Sequence, residues 1–180
     1  MKRQAHKNGE PMATVTTPRL HLSPFQPSDW NFFRLLREDT RVMRYIAAVA
    51  SEKDNRLLFA TRLTAPHTFV VRLHNSPTPL GDIGLKISPH NREEADVGYM
   101  FMPEAQGKGI ATEAIRALCE YAFTQAGVKA LNAWVLADNV GSVRVLEKLG
   151  FVRTQMLEQA YEINGVCYDD WVYRLEADAF

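Results

Sequence analysis

Residues 103–115, PEAQGKGIATEAI, lie between two runs of opposite character. The run before them, ADVGYMFM (95–102), reads as a strand, and the run after them places Ala111, Ile115, Leu118 and Ala122 on one helical stripe as far as about Ala126. A further strand-like run, ALNAWVL (130–136), follows at once. A strand, a helix and a strand joined this tightly constrain the fold more than any other part of the chain. The two strands must lie parallel, with the helix crossing one face of the sheet in the right-handed sense. Gly107 and Gly109 then stand at the turn into the helix, where amides are unpaired and the helix dipole favours an anion. The turn is either softened for packing or built to hold a phosphate.

Known phosphate loops narrow that choice. A Walker A loop needs Ser or Thr after Gly-Lys, and here Gly107-Lys108 is followed by Gly109. A dinucleotide fingerprint needs a glycine where Thr112 stands. It also needs an acidic residue about twenty positions on, where Lys129 and Ala130 lie. What remains is Gln106-x-x-Gly109-x-Ala111, with Thr112 able to add a hydroxyl.

The rest of the chain predicts an α+β domain. TFVVRL (68–73), GDIGLKIS (81–88) and the run at 95–102 are joined by short connections, the pattern of an antiparallel meander. Leu20 and Leu22 alternate with polar neighbours, as in a half-buried strand. Helices are expected after an N-cap at Ser28 or Asp29, over roughly 40–46, and from Ser51 towards Leu63 with Asp54 as the capping acid. DNVGSVRVLEKLG (138–150) reads as a helix ended by Gly150. Strands are expected near 151–157 and 170–175, separated by the turn pair Asn164-Gly165. The organisation expected is a loose tail over 1–13 and a single domain over 14–180.

Composition excludes several classes of function. The 21 basic and 21 acidic residues balance, which argues against a nucleic-acid partner. No apolar run reaches the roughly 18 residues that would suggest a membrane span. Cys119 and Cys167 show neither metal spacing nor a disulfide framework, so a cytoplasmic setting is expected. The five histidines lack metal spacing, no Gly-x-Ser-x-Gly elbow occurs, and Cys119 within the helix reads as packing.

A second constellation follows the second strand: Asn139-x-x-Ser142 and then VLEKLGF. With ADVGY before the loop and the loop itself, these motifs in this order resemble the GNAT superfamily of acetyl-CoA-dependent N-acyltransferases. The opening TPRLHLSPFQPSDW with VMRYI, and the ending INGVCYDDWVYRL, are similar to its RimJ/RimL branch. The resemblance covers roughly residues 16 to 175. It implies a mixed, mostly antiparallel sheet with a splayed pair of strands, flanked by helices. The implied pyrophosphate site is Gln106, Gly107, Lys108, Gly109, Ile110 and Ala111, with Thr112 beside it. The backbone of Met100, Phe101 and Met102, on a bulged strand, would pair with the pantetheine arm, and Asn139 would add a hydrogen bond to the cofactor or serve only as a helix cap. No metal is implied.

The same resemblance assigns catalytic roles. The tyrosine that many members carry seven residues after the asparagine is Leu146 here, and Ser142 matches the serine that the branch places near the sulfur, unless it bonds only backbone. The Met100 amide is expected to stabilise the carbonyl oxygen. Asp96, where the family often has glutamate, is the first candidate base and Glu162 the second. The acceptor is expected between 41–50 and 161–168. With only Glu162 as a carboxylate there, an α-amine of a protein N-terminus or small amino compound is favoured over a polyamine or lysine side chain. A monomer or homodimer is expected. A non-catalytic acyl-CoA-binding sensor or interaction module of the same fold is the alternative.

Overall fold

The computed structural model describes residues 12–180, so residues 1–11 of the expected tail lie outside the described residues. Its strands are β1 (Val15–Thr16), β2 (Leu20–Ser23), β3 (Thr68–Leu73), β4 (Pro79–Ile87), β5 (Glu94–Phe101), β6 (Ala130–Leu136), β7 (Val152–Ile163) and β8 (Val166–Glu176). The helices are α1 (Trp30–Glu38), α2 (Thr40–Met43), α3 (Glu52–Arg62), α4 (Ile110–Thr124) and α5 (Val140–Lys148). The strands form one sheet in the order β1-β2-β3-β4-β5-β6-β8-β7. Neighbours are antiparallel except β5 and β6, which run parallel across the α4 crossover. This is the mixed sheet expected from the sequence.

The sheet is covered on both faces. Leu20, Leu22, Phe69, Val71 and Ile83 pack with Ile115 and Leu118 of α4 on one side. Phe25, Phe33, Leu36, Phe59 and Val70, from α1, α3 and their surroundings, form the core of the other. Phe69 and Val71 thus face one core and Val70 the other, which is why TFVVRL shows an apolar run rather than alternation. At the start of α3 Ser51 caps the helix, Asp54 N–H donating to Ser51 Oγ at 3.1 Å. The reciprocal half of the expected capping box is missing, because Asp54 Oδ2 accepts from that hydroxyl at 2.7 Å and not from the Ser51 backbone.

β7 and β8 run far beyond the predicted 151–157 and 170–175. Most side chains of β7 are exposed on both faces, so the strand carries no burial period for a sequence reading to detect. Asn164 and Gly165 close the hairpin with φ of 50° and 80°, the left-handed pair that a tight two-residue turn requires.

A buried ion pair ties α1 to the middle of the sheet. Arg37 Nη2 donates to Asp82 Oδ2 at 2.6 Å, with the two side chains 6% and 4% exposed. The guanidinium also lies 3.6 Å over the Phe33 ring. Burial pulls Arg37 below the usual arginine range, against the pull of Asp82. Replacing Arg37 by Met leaves the Asp82 carboxylate buried with only Arg62, 3.8 Å away, to offset it. Arg37→Met is expected to lose about 3–5 kcal/mol in urea unfolding, and a loss under about 1 kcal/mol would show that the pair contributes little.

Candidate active site

The turn into α4 has the backbone form that the glycines suggested. Gly107 and Gly109 both have φ of +71°, a conformation that strains any residue with a Cβ. Among the described residues no acceptor takes the N–H groups of Gly107 through Thr112, and the first helical bond is Glu113 N–H to the Gly109 carbonyl at 3.0 Å. Ile110 anchors the turn in the core, while Gln106, Gly107, Lys108 and Gly109 are exposed. Arg19, at the start of β2, braces the loop. Its Nη1 donates to the Lys108 carbonyl at 2.9 Å and its Nε to Glu113 Oε2 at 2.6 Å. Burial works to raise the Glu113 carboxyl, but hydrogen bonds from Thr17 and Arg19 outweigh it and hold the group below the usual glutamate range.

Behind this loop the sheet splits. β5 pairs with β6 only at Glu94, Ala95 and Asp96, whereas its pairing with β4 continues to Phe101. From Val97 onward one edge of β5 has no strand beside it, and a cleft of about 350 Å³ opens between Val97–Met100 and Trp134–Leu136. The register with β4 has no shift, so the strand splays without the bulge that the resemblance implied. Met102 N–H donates to the Leu80 carbonyl at 2.8 Å and Ser88 N–H to the Glu94 carbonyl at 2.9 Å, so even-numbered residues of this strand turn their backbone groups to β4. The Met100 and Met102 amides therefore face away from the cleft, contrary to expectation. Those of Tyr99 and Phe101 lie on the open edge, where Tyr99 lines the cleft. Met100 still lines the cleft with its side chain.

At the end of the cleft nearest α5, Tyr99 and Ser142 share a hydrogen bond of 2.5 Å between their hydroxyl oxygens. Burial pushes the Tyr99 phenol up to about 12, against the hydrogen bond to Ser142, so it stays neutral. Asn139 caps α5, its Oδ1 accepting from Ser142 N–H at 3.3 Å, and also lines the cleft. Both roles weighed for Asn139 are thus structurally open. Leu146, at the position of the absent tyrosine, is wholly buried in the core. Cys119 is likewise buried, its thiol pushed up to about 12, which is the inert packing role expected of it.

The carboxylates differ from expectation. Glu162 is exposed near the hairpin tip and does not line the cleft. Asp96 opens to a separate depression of about 190 Å³ beside Lys86, Glu94 and Asn132. Its carboxyl is raised by burial, with Lys86 opposing and Glu94 assisting. Asp170 of β8 does line the cleft, and burial raises its carboxyl as well. Period-2 reading of YDDWVY would have paired Asp170 with the buried Val172 on one face, a carboxylate out of place on an apolar stripe. Tyr99 stood within the ADVGY motif, and only its hydroxyl contact reveals a role. The segments expected to admit the acceptor do meet: Tyr161 Oη donates to the Ile46 carbonyl at 2.9 Å, and Tyr45 packs edge-on against Tyr168. Among the described residues no group of three or more potential metal ligands gathers, and no helix is long and apolar enough to cross a membrane.

A family model described as an acetyltransferase (GNAT) domain matches residues 19–152. The chain is similar to YnaD, an uncharacterized N-acetyltransferase of Bacillus subtilis, with 25% identity over 163 residues, 89% of this chain and 95% of that one. A solved acetyltransferase (GNAT family) from Bacillus anthracis has a TM-score of 0.83 at 25% identity, covering 92% of this chain and 99% of its own. Spermidine N-acetyltransferase from Vibrio cholerae, solved with CoA and spermine, shares the fold with a TM-score of 0.81 at 23% identity, over 91% of this chain and 98% of that one.

The loop geometry makes Gly109 the sensitive position. A Cβ there would stand 3.4 Å from Arg19 Nη2 and hold φ of +71°, a true outlier for a β-branched residue. Gly109→Val should weaken CoA binding at least about 10-fold by calorimetry, which is 1.4 kcal/mol, while the chain still folds. Unchanged affinity in the folded variant would remove the loop as the phosphate site.

Proposed function

The chain belongs to the GNAT acetyltransferase family, and on that premise we propose that it moves an acetyl group from acetyl-CoA to a primary amine, the α-amine of a protein N-terminus or of a small amino compound. The reading includes the RimJ/RimL-like branch and a single catalytic domain over 14–180. The observation that carries it is the free edge of β5, where the Tyr99 and Phe101 amides face a cleft that ends at the Tyr99–Ser142 hydroxyl pair.

The residues present fit the cofactor. The unpaired amides from Gly107 to Thr112 offer a site for its pyrophosphate, with Lys108 and Gln106 exposed beside them. The amide edge of Tyr99 and Phe101 would pair with its pantetheine arm, as an added strand pairs with a sheet. Acetyl-CoA supplies an acyl group on a thioester, open to attack by an amine.

Each chain group has a distinct task. The Tyr99 or Phe101 N–H donates to the carbonyl oxygen as charge grows there, a contribution that mutagenesis elsewhere places at about 10²–10³ in rate. Asp170 accepts the proton that the amine sheds as nitrogen bonds to carbon. An α-amine of pKa ~7.7–8.0 is about a tenth neutral at pH 7, whereas a lysine amine at ~10.4 is below a thousandth. A carboxylate raised by burial but lacking a strongly basic partner suits the first better than the second. As the carbon–sulfur bond breaks, the sulfur leaves as a thiolate that the Tyr99–Ser142 pair meets with a hydroxyl. With the phenol at about 12, full proton transfer to a thiolate of ordinary pKa ~8.5 runs uphill, so the pair acts as a hydrogen-bond donor and solvent completes the protonation.

Thiol release on adding an amine to protein and acetyl-CoA tests the proposal directly. Binding of acetyl-CoA without release from any amine would turn the reading to a sensor. Tyr99→Phe should lower kcat about 10- to 100-fold with acetyl-CoA affinity nearly unchanged.

Asp170→Asn should flatten the limb of the rate profile that rises with pH, because activity needs the ionised carboxylate. Its stability effect has the opposite sign. A carboxyl whose folded pKa is raised contributes stability below its unfolded value, and that stability is lost as pH rises through the folded value. Asp170→Asn should therefore match the wild-type Tm in acid and exceed it at neutral pH. A lowered Tm at pH 7 would show that Asp170 is held by a favourable partner.

A further inference from the structure

We propose that the amine acceptor bears a carboxylate close to its amine, and that Arg62 receives that carboxylate; the inference rests on the acetyltransferase reading above and names its substrate class. Arg62 is the last residue of α3 and lines the cleft. Its Nε is buried and has no hydrogen-bond partner among the described residues. The nearest carboxylate oxygen, Asp82 Oδ2, stands 3.8 Å away, beyond hydrogen-bond reach. That oxygen is already taken by Arg37 at 2.6 Å, and Arg37 Nη1 also lacks a partner. Two guanidiniums therefore share one carboxylate at this end of the cleft, leaving a local excess of one positive charge.

Asp170 also lines the cleft, and its side chain has no hydrogen-bond or ion-pair partner among the described residues. Asp82 lines the cleft too, with its carboxylate held by Arg37, and the remaining lining residues, among them Tyr45, Tyr161 and Trp134, carry no charge. Beside the Arg37–Asp82 pair, one pocket thus presents a cation with only a shared and more distant counterion and a carboxylate with none, as separate features. An amine directed to Asp170 and a carboxylate directed to Arg62 would satisfy both, and the planar guanidinium suits a carboxylate in two-point contact. A polyamine would instead set its second ammonium towards Arg62, where like charges repel. The acceptor class this selects is a free amino acid or a similarly small amino acid derivative with its carboxylate intact.

The test compares matched acceptors: phenylalanine, leucine, methionine and glutamate, each as the free acid and as the α-carboxamide, with spermidine as a further arm. Chemistry alone favours the amides, because a neighbouring carboxylate raises the amine pKa and lowers its neutral fraction. Wild type is nevertheless expected to show kcat/KM at least about 10-fold higher for the preferred acid than for its amide, expressed mainly in KM. In Arg62→Gln that ratio should collapse to within about 3-fold of one, with Arg62→Lys between the two. Calorimetry on CoA-saturated protein should show the same order of binding without turnover. Amides or spermidine preferred over every acid, with acetyl transfer intact, would overturn the inference and leave the acetyltransferase reading standing. An acid-to-amide ratio unchanged in Arg62→Gln would overturn it equally. No thiol release from any amine would overturn the acetyltransferase reading, and this inference with it.

Discussion

Three residues of parallel pairing, Glu94 to Asp96 against Ala130 to Asn132, join the two halves of the sheet. On one side β5 stays with β4 to Phe101, and on the other β6 stays with β8 to Leu136. Each strand keeps a full ladder with its outer neighbour, so the sheet can part between them without losing those bonds. Gly98, just past the seam, has nothing within 4 Å of where a Cβ would stand, so the splayed edge is not crowded from within. Where the seam ends, the N–H and C=O groups of Tyr99 and Phe101 face open space instead of a strand. Exposed strand edges are ready templates for an added chain, and here that template lines the site.

Helix ends meet the same gap. α4 begins at the far end of β5, so its unpaired amides continue the line of open backbone groups from Phe101 into the loop. α5 begins after β6, and its first turn brings Ser142 against the Tyr99 hydroxyl. The brace of Arg19, Glu113 and Thr17 fixes the loop from β2, a strand near the opposite edge of the same half-sheet. The site is thus assembled from groups whose positions are set by rigid elements rather than by long loops, the arrangement that holds reacting groups in register.

Charge in the cleft is set on its own wall, where Asp82 and Arg62 both line it. Arg37 reaches Asp82 from α1, and the pair is almost wholly buried, with the guanidinium over the Phe33 ring. Because Asp82 is hydrogen-bonded to Arg37, Arg62 at the end of α3 shares that carboxylate only at 3.8 Å, without a hydrogen bond from its Nε. A buried ion pair is seldom a net source of stability, but it can fix which charges remain free. Asp170, on the other half of the sheet, is raised by burial with no cation to hold it down. An ionised carboxylate in that setting destabilises the fold slightly and gains basicity in return, a common compromise at functional sites.

Local chemistry was enough to read the loop. Gly107 and Gly109 adopt positive φ, the unpaired amides follow from the start of a helix, and the parallel crossover follows from a strand, helix and strand in quick succession. The caps at Ser51 and Asn139 and the Asn164-Gly165 turn were legible for the same reason, since each rests on contacts a few residues apart. The direction of the β5 amides was not legible, because a one-residue difference in register reverses which groups face a neighbour, and only the pairing with β4 fixes it. That is why the open edge carries the amides of Tyr99 and Phe101 and not that of Met100. Nor could sequence bring Asp170, Arg62 and Tyr99 together, or set Asp96 and Glu162 outside the cleft, since they lie on separate elements. Sequence alone determined the glycine turn at the start of α4 and the order of elements that makes a GNAT sheet; which carboxylate and which amides face the cleft was decided only when strand pairing and packing brought distant residues together.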